Sequence, residues 1–101
     1  MNKVIIERHL KDESMRPQLM KLIGDLRSAA MHQPGYVTGE SLISADDGCD
    51  ITVLSTWMNA AYWKAWETAE QRIIISELME PLLEGDAKCR VYDFTNPEEI
   101  L

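Results

Sequence analysis

Residues 50–66 read DITVLSTWMNAAYWKAW. In the first eight, Ile51, Val53, Ser55 and Trp57 fall on one side of an extended chain and Thr52, Leu54 and Thr56 on the other, the period of a strand. Asn59 then stands where a helix needs its cap. Beyond it Trp63 and Trp66 are three residues apart and Tyr62 and Trp66 four, so on a helix these rings are neighbours. A strand therefore runs directly into a helix. This corner holds all three tryptophans of the chain, against a single phenylalanine, Phe94. Two uses are open. The rings supply bulk where the core needs it, or Trp66 and a neighbour wall a cleft for a flat ligand, since indole offers an apolar face and an N–H donor.

Working outward, the segment ADDGCD at 45–50 reads as a hairpin turn whose Asp-Gly pair suits positive φ. YVTGESLISA, 36–45, reads as the preceding strand, with Gly39 a candidate bulge. Upstream, Met15, Leu19, Leu22, Leu26 and Ala29 or Ala30 form one apolar helical stripe behind the candidate caps Asp12 and Ser14. Pro17 is tolerable in its first turn, and the helix ends near His32 before the breaker QPG. KVIIERHL, 3–10, reads as a central strand, with Val4, Ile6 and Leu10 on one face and Ile5 on the other. Downstream, a helix spans about Glu70 to Leu83. The run Ile73, Ile74, Ile75 locally favours strand, but Ile75, Met79 and Leu82, with Ile74 and Leu78, restore a helical face; Pro81 kinks or ends it and Gly85 closes it. AKCRVYDF, 87–94, is the last strand.

The order is β-α-β-β-α-β. Crossover handedness then predicts an α+β, ferredoxin-like domain at 1–94, with a four-stranded antiparallel sheet and both helices on one face. Residues 95–101, TNPEEIL, form a polar tail. The sheet's other face carries apolar side chains and has no helix to cover it, which predicts a partner, most simply a second copy in a homodimer.

The chain has 101 residues, 46% apolar, with a formal net charge of −7. That is one domain. The acidic balance argues against nucleic acid, whose binding rests on phosphate neutralisation, and against anionic membranes. No apolar run approaches the roughly 20 residues a spanning helix needs, and MNKVIIERHLKD lacks the pattern of a secretory leader. Cys49 and Cys89 have no metal-binding spacing and read as reduced thiols of a cytoplasmic protein.

Few residues are candidates for chemistry. His32 suits a helix C-terminus electrostatically without any catalytic role. His9 lies on a strand beside Glu7, and no further ligands at metal-binding spacing accompany it. Arg8 and Arg90 sit mid-strand, where a charge must find a partner or face a wet cavity. Each is either one half of an ion pair, with Glu7, Glu40 or Asp93, or a guanidinium that holds a ligand oxygen. No Ser-His-Asp arrangement, phosphate-cradling glycine loop or nucleotide fingerprint is present.

PGYVTGESL at 34–42, followed by VLSTWMNAAYWKAWETAEQ at 53–71, resembles the antibiotic biosynthesis monooxygenase family. The resemblance spans about residues 3–94, and its most specific part is the order and spacing of Trp57, Asn59, Trp63 and Trp66. It implies a dimeric α+β barrel with a cavity between helices and sheet in each protomer. Members include oxygenases that use O₂ on polycyclic phenols or quinols without metal or flavin, and others that degrade heme. Heme degraders carry a first-strand asparagine and a histidine ten residues after the helical tryptophan. Here those places are Arg8 and Ser76, which disfavours heme. For the cofactor-free oxygenases the resemblance puts Asn59, Trp66 and Arg90 in catalytic places, with Arg8, Tyr36, Trp63 and Ser76 around a small aromatic substrate. The function implied is a monooxygenase with no cofactor and no metal; the alternative is a non-catalytic dimeric binding module.

Overall fold

In a computed structural model, which describes residues 1–96, the chain forms strands β1 (Asn2–His9), β2 (Tyr36–Ile43), β3 (Asp50–Trp57) and β4 (Lys88–Asp93), with helices α1 (Arg16–Ala30), α2 (Ala60–Glu67) and α3 (Glu70–Met79). Single 3₁₀ turns, Glu13–Met15 and Glu80–Leu82, precede α1 and follow α3. The sheet is antiparallel in the order β2-β3-β1-β4. This is the ferredoxin-like α+β arrangement expected. The tail assigned to 95–101 lies for the most part outside the described residues.

Strict alternation in β1 divides the sheet. Val4, Ile6, Arg8 and Leu10 are buried, while Lys3, Ile5, Glu7 and His9 are half-buried on the reverse side. Register carries the same division across the sheet: Ile51, Val53, Ser55 and Trp57 stand opposite Arg8, Ile6, Val4 and Asn2. The core lies between this side and the helices, with Leu19, Ile23, Leu26 and Ala30 from α1 and Trp63, Trp66 and Met79 from α2 and α3. In α1 it is Ile23, rather than the expected Leu22, that is fully buried.

Two local expectations are corrected. The bulge in β2 is at Val37, since register shifts between Tyr36 and Thr38, and not at Gly39. Tyr36 and Gly39 both pair with helix-side residues, Trp57 and Ser55, and an odd spacing can do so only with one extra residue between them. Gly39 is small because the Tyr36 hydroxyl lies where its Cβ would be. In the 45–50 turn, Gly48 does not adopt positive φ; only Gly35 and Gly85 do so among the described residues. The turn is closed by side chains instead: Ser44 Oγ accepts from the amides of Asp46 and Asp47 at 3.2 Å, and Asp47 Oδ1 accepts from that of Cys49 at 2.9 Å.

Pro81 ends α3 in its 3₁₀ turn, and Gly85, at φ 82°, releases the chain toward β4. Helix α3 runs only to Met79, and its core face is narrower than expected: Ile75 and Met79 face the core, whereas Ile74 and Leu78, like Ile73, face outward. Helical spacing overrode the strand preference of the triple isoleucine.

Candidate functional site

The tryptophans build a wall, not a binding platform. Trp57, Trp63 and Trp66 are 0%, 3% and 3% exposed. Tyr36 meets Trp57 edge-on with ring centres 5.4 Å apart, and Trp57 meets Trp63 at 5.9 Å. The Trp57 indole N–H donates to Ser55 Oγ at 3.0 Å. The space between α1, Tyr36 and these rings has a volume of only about 40 Å³. That is room for a few waters, far below the roughly 300–1,000 Å³ of sites that take drug-sized ligands. The expected ligand-sized hollow beside the indoles is therefore corrected: bulky rings at the β3–α2 corner close upon one another.

The larger space is next door. A cleft of about 530 Å³ opens between α3 and the junction of β1 with β4, lined by Ile6, Arg8, Glu67, Arg72, Ser76 and Met79 and, further along the chain, by Glu80, Leu83, Gly85, Asp86, Ala87 and Cys89. Arg72 and Ser76 are one turn apart on α3 and so share a face. Arg8 comes from β1 beside the place where β4 begins, since Glu7 pairs with Lys88.

The charges on this floor are unusual. Arg8 is 5% exposed. Neither it nor Arg72 has a carboxylate within ion-pair distance among the described residues. Burial first, and the neighbouring positive charge of Arg72 second, bring the Arg8 guanidinium down to about 10. Burial also lowers Arg72, with Cys89 and Glu67 acting in the opposite sense. Burial pushes the Cys89 thiol up, so at neutral pH it carries no charge to offset the pair. Arg72 lies over the Trp63 ring at 5.1 Å and donates from Nη1 to the Glu67 carbonyl at 3.3 Å. Its Nε and the Ser76 hydroxyl are buried with no hydrogen-bond partner. Tyr36, Trp57, Trp63 and Arg72 thus form one continuous stack that ends at the cleft.

Of the residues that the resemblance singled out, Arg8 and Ser76 line the cleft, Trp63 backs it through Arg72, and Tyr36 and Trp66 pack in the indole wall. Asn59 is exposed and its side chain is occupied as a helix cap, accepting from Ala61 N at 3.0 Å and Tyr62 N at 3.2 Å. Arg90 is set apart from the others. It pairs with Ile5 and so projects from the sheet face opposite the helices, where it cannot reach the cleft. Arg72 was missed, because helical spacing alone marks it as an ordinary polar position. Also missed was a surface group: His9, Asp47 and Asp50 place potential metal-ligating atoms within 4.8 Å of one another. Strand pairing sets His9 opposite Asp50, which linear spacing does not reveal. Asp50 hydrogen-bonds His9 Nδ1 and raises the imidazole above its ordinary value.

No protein-family model matches the sequence, and no curated protein matches it. Solved structures do. An antibiotic biosynthesis monooxygenase superposes with a TM-score of 0.83 at 17% identity, over 95% of this chain and 100% of its own. SnoaB, a cofactor-independent oxygenase from Streptomyces nogalater, gives 0.81 at 8% identity over 94% and 93%. A conserved protein from Methanosarcina mazei Go1 gives 0.83 at 13% identity over 90% and 89%. The fold is that of the antibiotic biosynthesis monooxygenases. At these identities an antibiotic biosynthesis monooxygenase fold fixes the scaffold, and chemistry has to be argued from the cleft. Among the described residues no helix is long and apolar enough to cross a membrane.

Proposed function

We propose that the protein is a cofactor-independent monooxygenase that oxidises a small aromatic, quinol-type substrate with O₂ in the cleft of Arg8, Arg72 and Ser76. One observation carries the reading: a buried guanidinium, Arg8, and a half-buried one, Arg72, neither with a carboxylate in ion-pair distance among the described residues, face a space of ligand size. Fixed positive charge in a site of low polarity favours the phenolate or enolate of a bound substrate and lowers its effective pKa. The proton leaves to water at the open mouth. The electron-rich anion then reduces O₂. For a methylene substrate the balance is R₂CH₂ + O₂ → R₂C=O + H₂O, with one oxygen atom retained and the other leaving as water, so no external reductant is required. The anion-holding role falls to Arg8 and Arg72 instead of Arg90, and Trp63 acts by positioning Arg72. The likeness to SnoaB supports this chemistry on such a scaffold.

Oxygen uptake with a panel of anthrones, hydroquinones and catechols is the test. The wild type is expected to consume at least one of them, and Arg72→Met to lower kcat/KM about a hundredfold, the scale of losing one preorganised donor to a developing oxyanion. A panel left wholly unconsumed removes the oxygenase reading. The closed indole packing favours a second reading, a binding module without turnover. It predicts a ligand-dependent rise in Tm with no oxygen uptake.

The proposal includes a cytoplasmic homodimer. The sheet face away from the helices carries Leu42, Tyr92 and Phe94, each about half exposed, around Ile5 and Leu54. Apolar surface of this kind on a small domain suits burial against an identical copy. Light scattering in solution is expected to give twice the chain mass of 11.5 kDa, and Leu54→Glu to give the single-chain mass. A wild-type protein that scatters as one chain would rule the dimer out.

A further inference from the structure

We propose that the Arg8–Arg72–Ser76 cleft is built for a ligand that carries a carboxylate in addition to its reactive hydroxyl, and so narrows the substrate from a neutral quinol to an aromatic hydroxy acid. The inference rests on the reading that this cleft takes the substrate. Its basis is charge balance. A single phenolate or enolate would match one guanidinium, yet two line the cleft, and the charge of Arg72 is near enough to act against that of Arg8. Two positive charges are matched by a carboxylate carried in and a phenolate formed in place.

Geometry favours the same ligand. A guanidinium presents paired N–H donors in a planar fork that fits the two oxygens of a carboxylate. Arg8 makes no side-chain hydrogen bond among the described residues, and Arg72 Nε and Ser76 Oγ are buried donors without acceptors. All of these groups are on the cleft wall. Buried donors are normally satisfied, so an unsatisfied set around an open space marks where acceptor atoms belong. Around the mouth stand three carboxylates, Glu67, Glu80 and Asp86, all exposed and none in ion-pair distance of either guanidinium. A phosphate dianion would meet that acidic rim with twice the charge of a carboxylate. The adjoining apolar wall of Ile6 and Met79 suits the ring system.

Isothermal titration calorimetry at pH 7, without turnover, tests this with 6-hydroxy-2-naphthoate, its uncharged carboxamide and 2-naphthyl phosphate. The carboxylate is expected to bind at least tenfold more tightly than either of the others. Arg8→Met and Arg72→Met are each expected to remove that preference. Bound to wild type, the naphthol should ionise at lower pH than free, read from its phenolate absorbance, and Arg72→Met should reverse the shift. Equal affinity for carboxylate and carboxamide, tighter binding of the phosphate, or no binding of the naphthoate overturns the inference. Because the readout is binding, a tenfold carboxylate preference without any oxygen uptake sustains the inference and removes only the oxygenase reading.

Discussion

Arg8→Met is expected to raise the stability of the ligand-free protein, by on the order of 1–4 kcal/mol, while removing its affinity for organic anions. A buried charge without a counter-ion is desolvated and gains no Coulomb attraction in return. Methionine keeps most of the apolar stem, fills similar volume and carries no charge. Thermal unfolding would show this as a rise in Tm of about 4–8 °C per kcal/mol for a domain of this size. The pH dependence separates charge from packing. Since the Arg8 guanidinium is held down to about 10 in the fold, the unfolded chain binds its proton more tightly. Wild-type stability therefore gains relative to Arg8→Met as pH rises above about 10, and the difference is constant below it. A variant that is less stable than wild type at neutral pH would mean that Arg8 is paired, and the anion site would lose its basis. A residue that weakens the fold where a ligand is to be held is the usual trade between stability and function.

Trp57→Ala is expected to cost about 3–5 kcal/mol, the range for deleting a large aromatic from a packed core. Trp57 is fully buried, receives the edge of Tyr36 and supports Trp63. A domain of this kind has only about 5–15 kcal/mol in total, so the urea midpoint should fall steeply at nearly constant slope. Loss of the Trp57 ring also leaves Trp63 without one side of its seat, and Arg72 rests on Trp63. At a temperature where Trp57→Ala remains folded, naphthoate binding should therefore weaken although Trp57 does not line the cleft. A cost below about 1 kcal/mol would show that the surrounding rings collapse into the space, and the stack would not be what positions Arg72.

The elements were legible because each depends on neighbours in sequence. Alternation in 50–57 and in β1 follows from the strand period, and the Asn59 cap from the local need of unsatisfied amides at a helix start. Register was less legible. Gly39 was an understandable bulge candidate, yet its smallness answers to the Tyr36 hydroxyl, and the extra residue is Val37. Arg90 was assigned to the ligand side by resemblance, whereas its pairing with Ile5 turns it outward. One residue of register reverses the face of every side chain in a strand.

The candidate site divides in the same way. Arg8 and Ser76 were in view from the chain, the one as a mid-strand charge and the other at the place where a histidine would be needed for heme. Arg72 was not, because its meaning comes from Arg8, 64 positions earlier in the sequence, and from the ring of Trp63 beneath it. The amino-acid order by itself determined the β-α-β-β-α-β path, the two-sided sheet and the concentration of indoles at one corner, since periodicity and caps act over a few residues. Only the tertiary structure decided that those indoles close on one another and that two guanidiniums share the neighbouring cleft. Packing volume and charge proximity are properties of surfaces brought together by the fold.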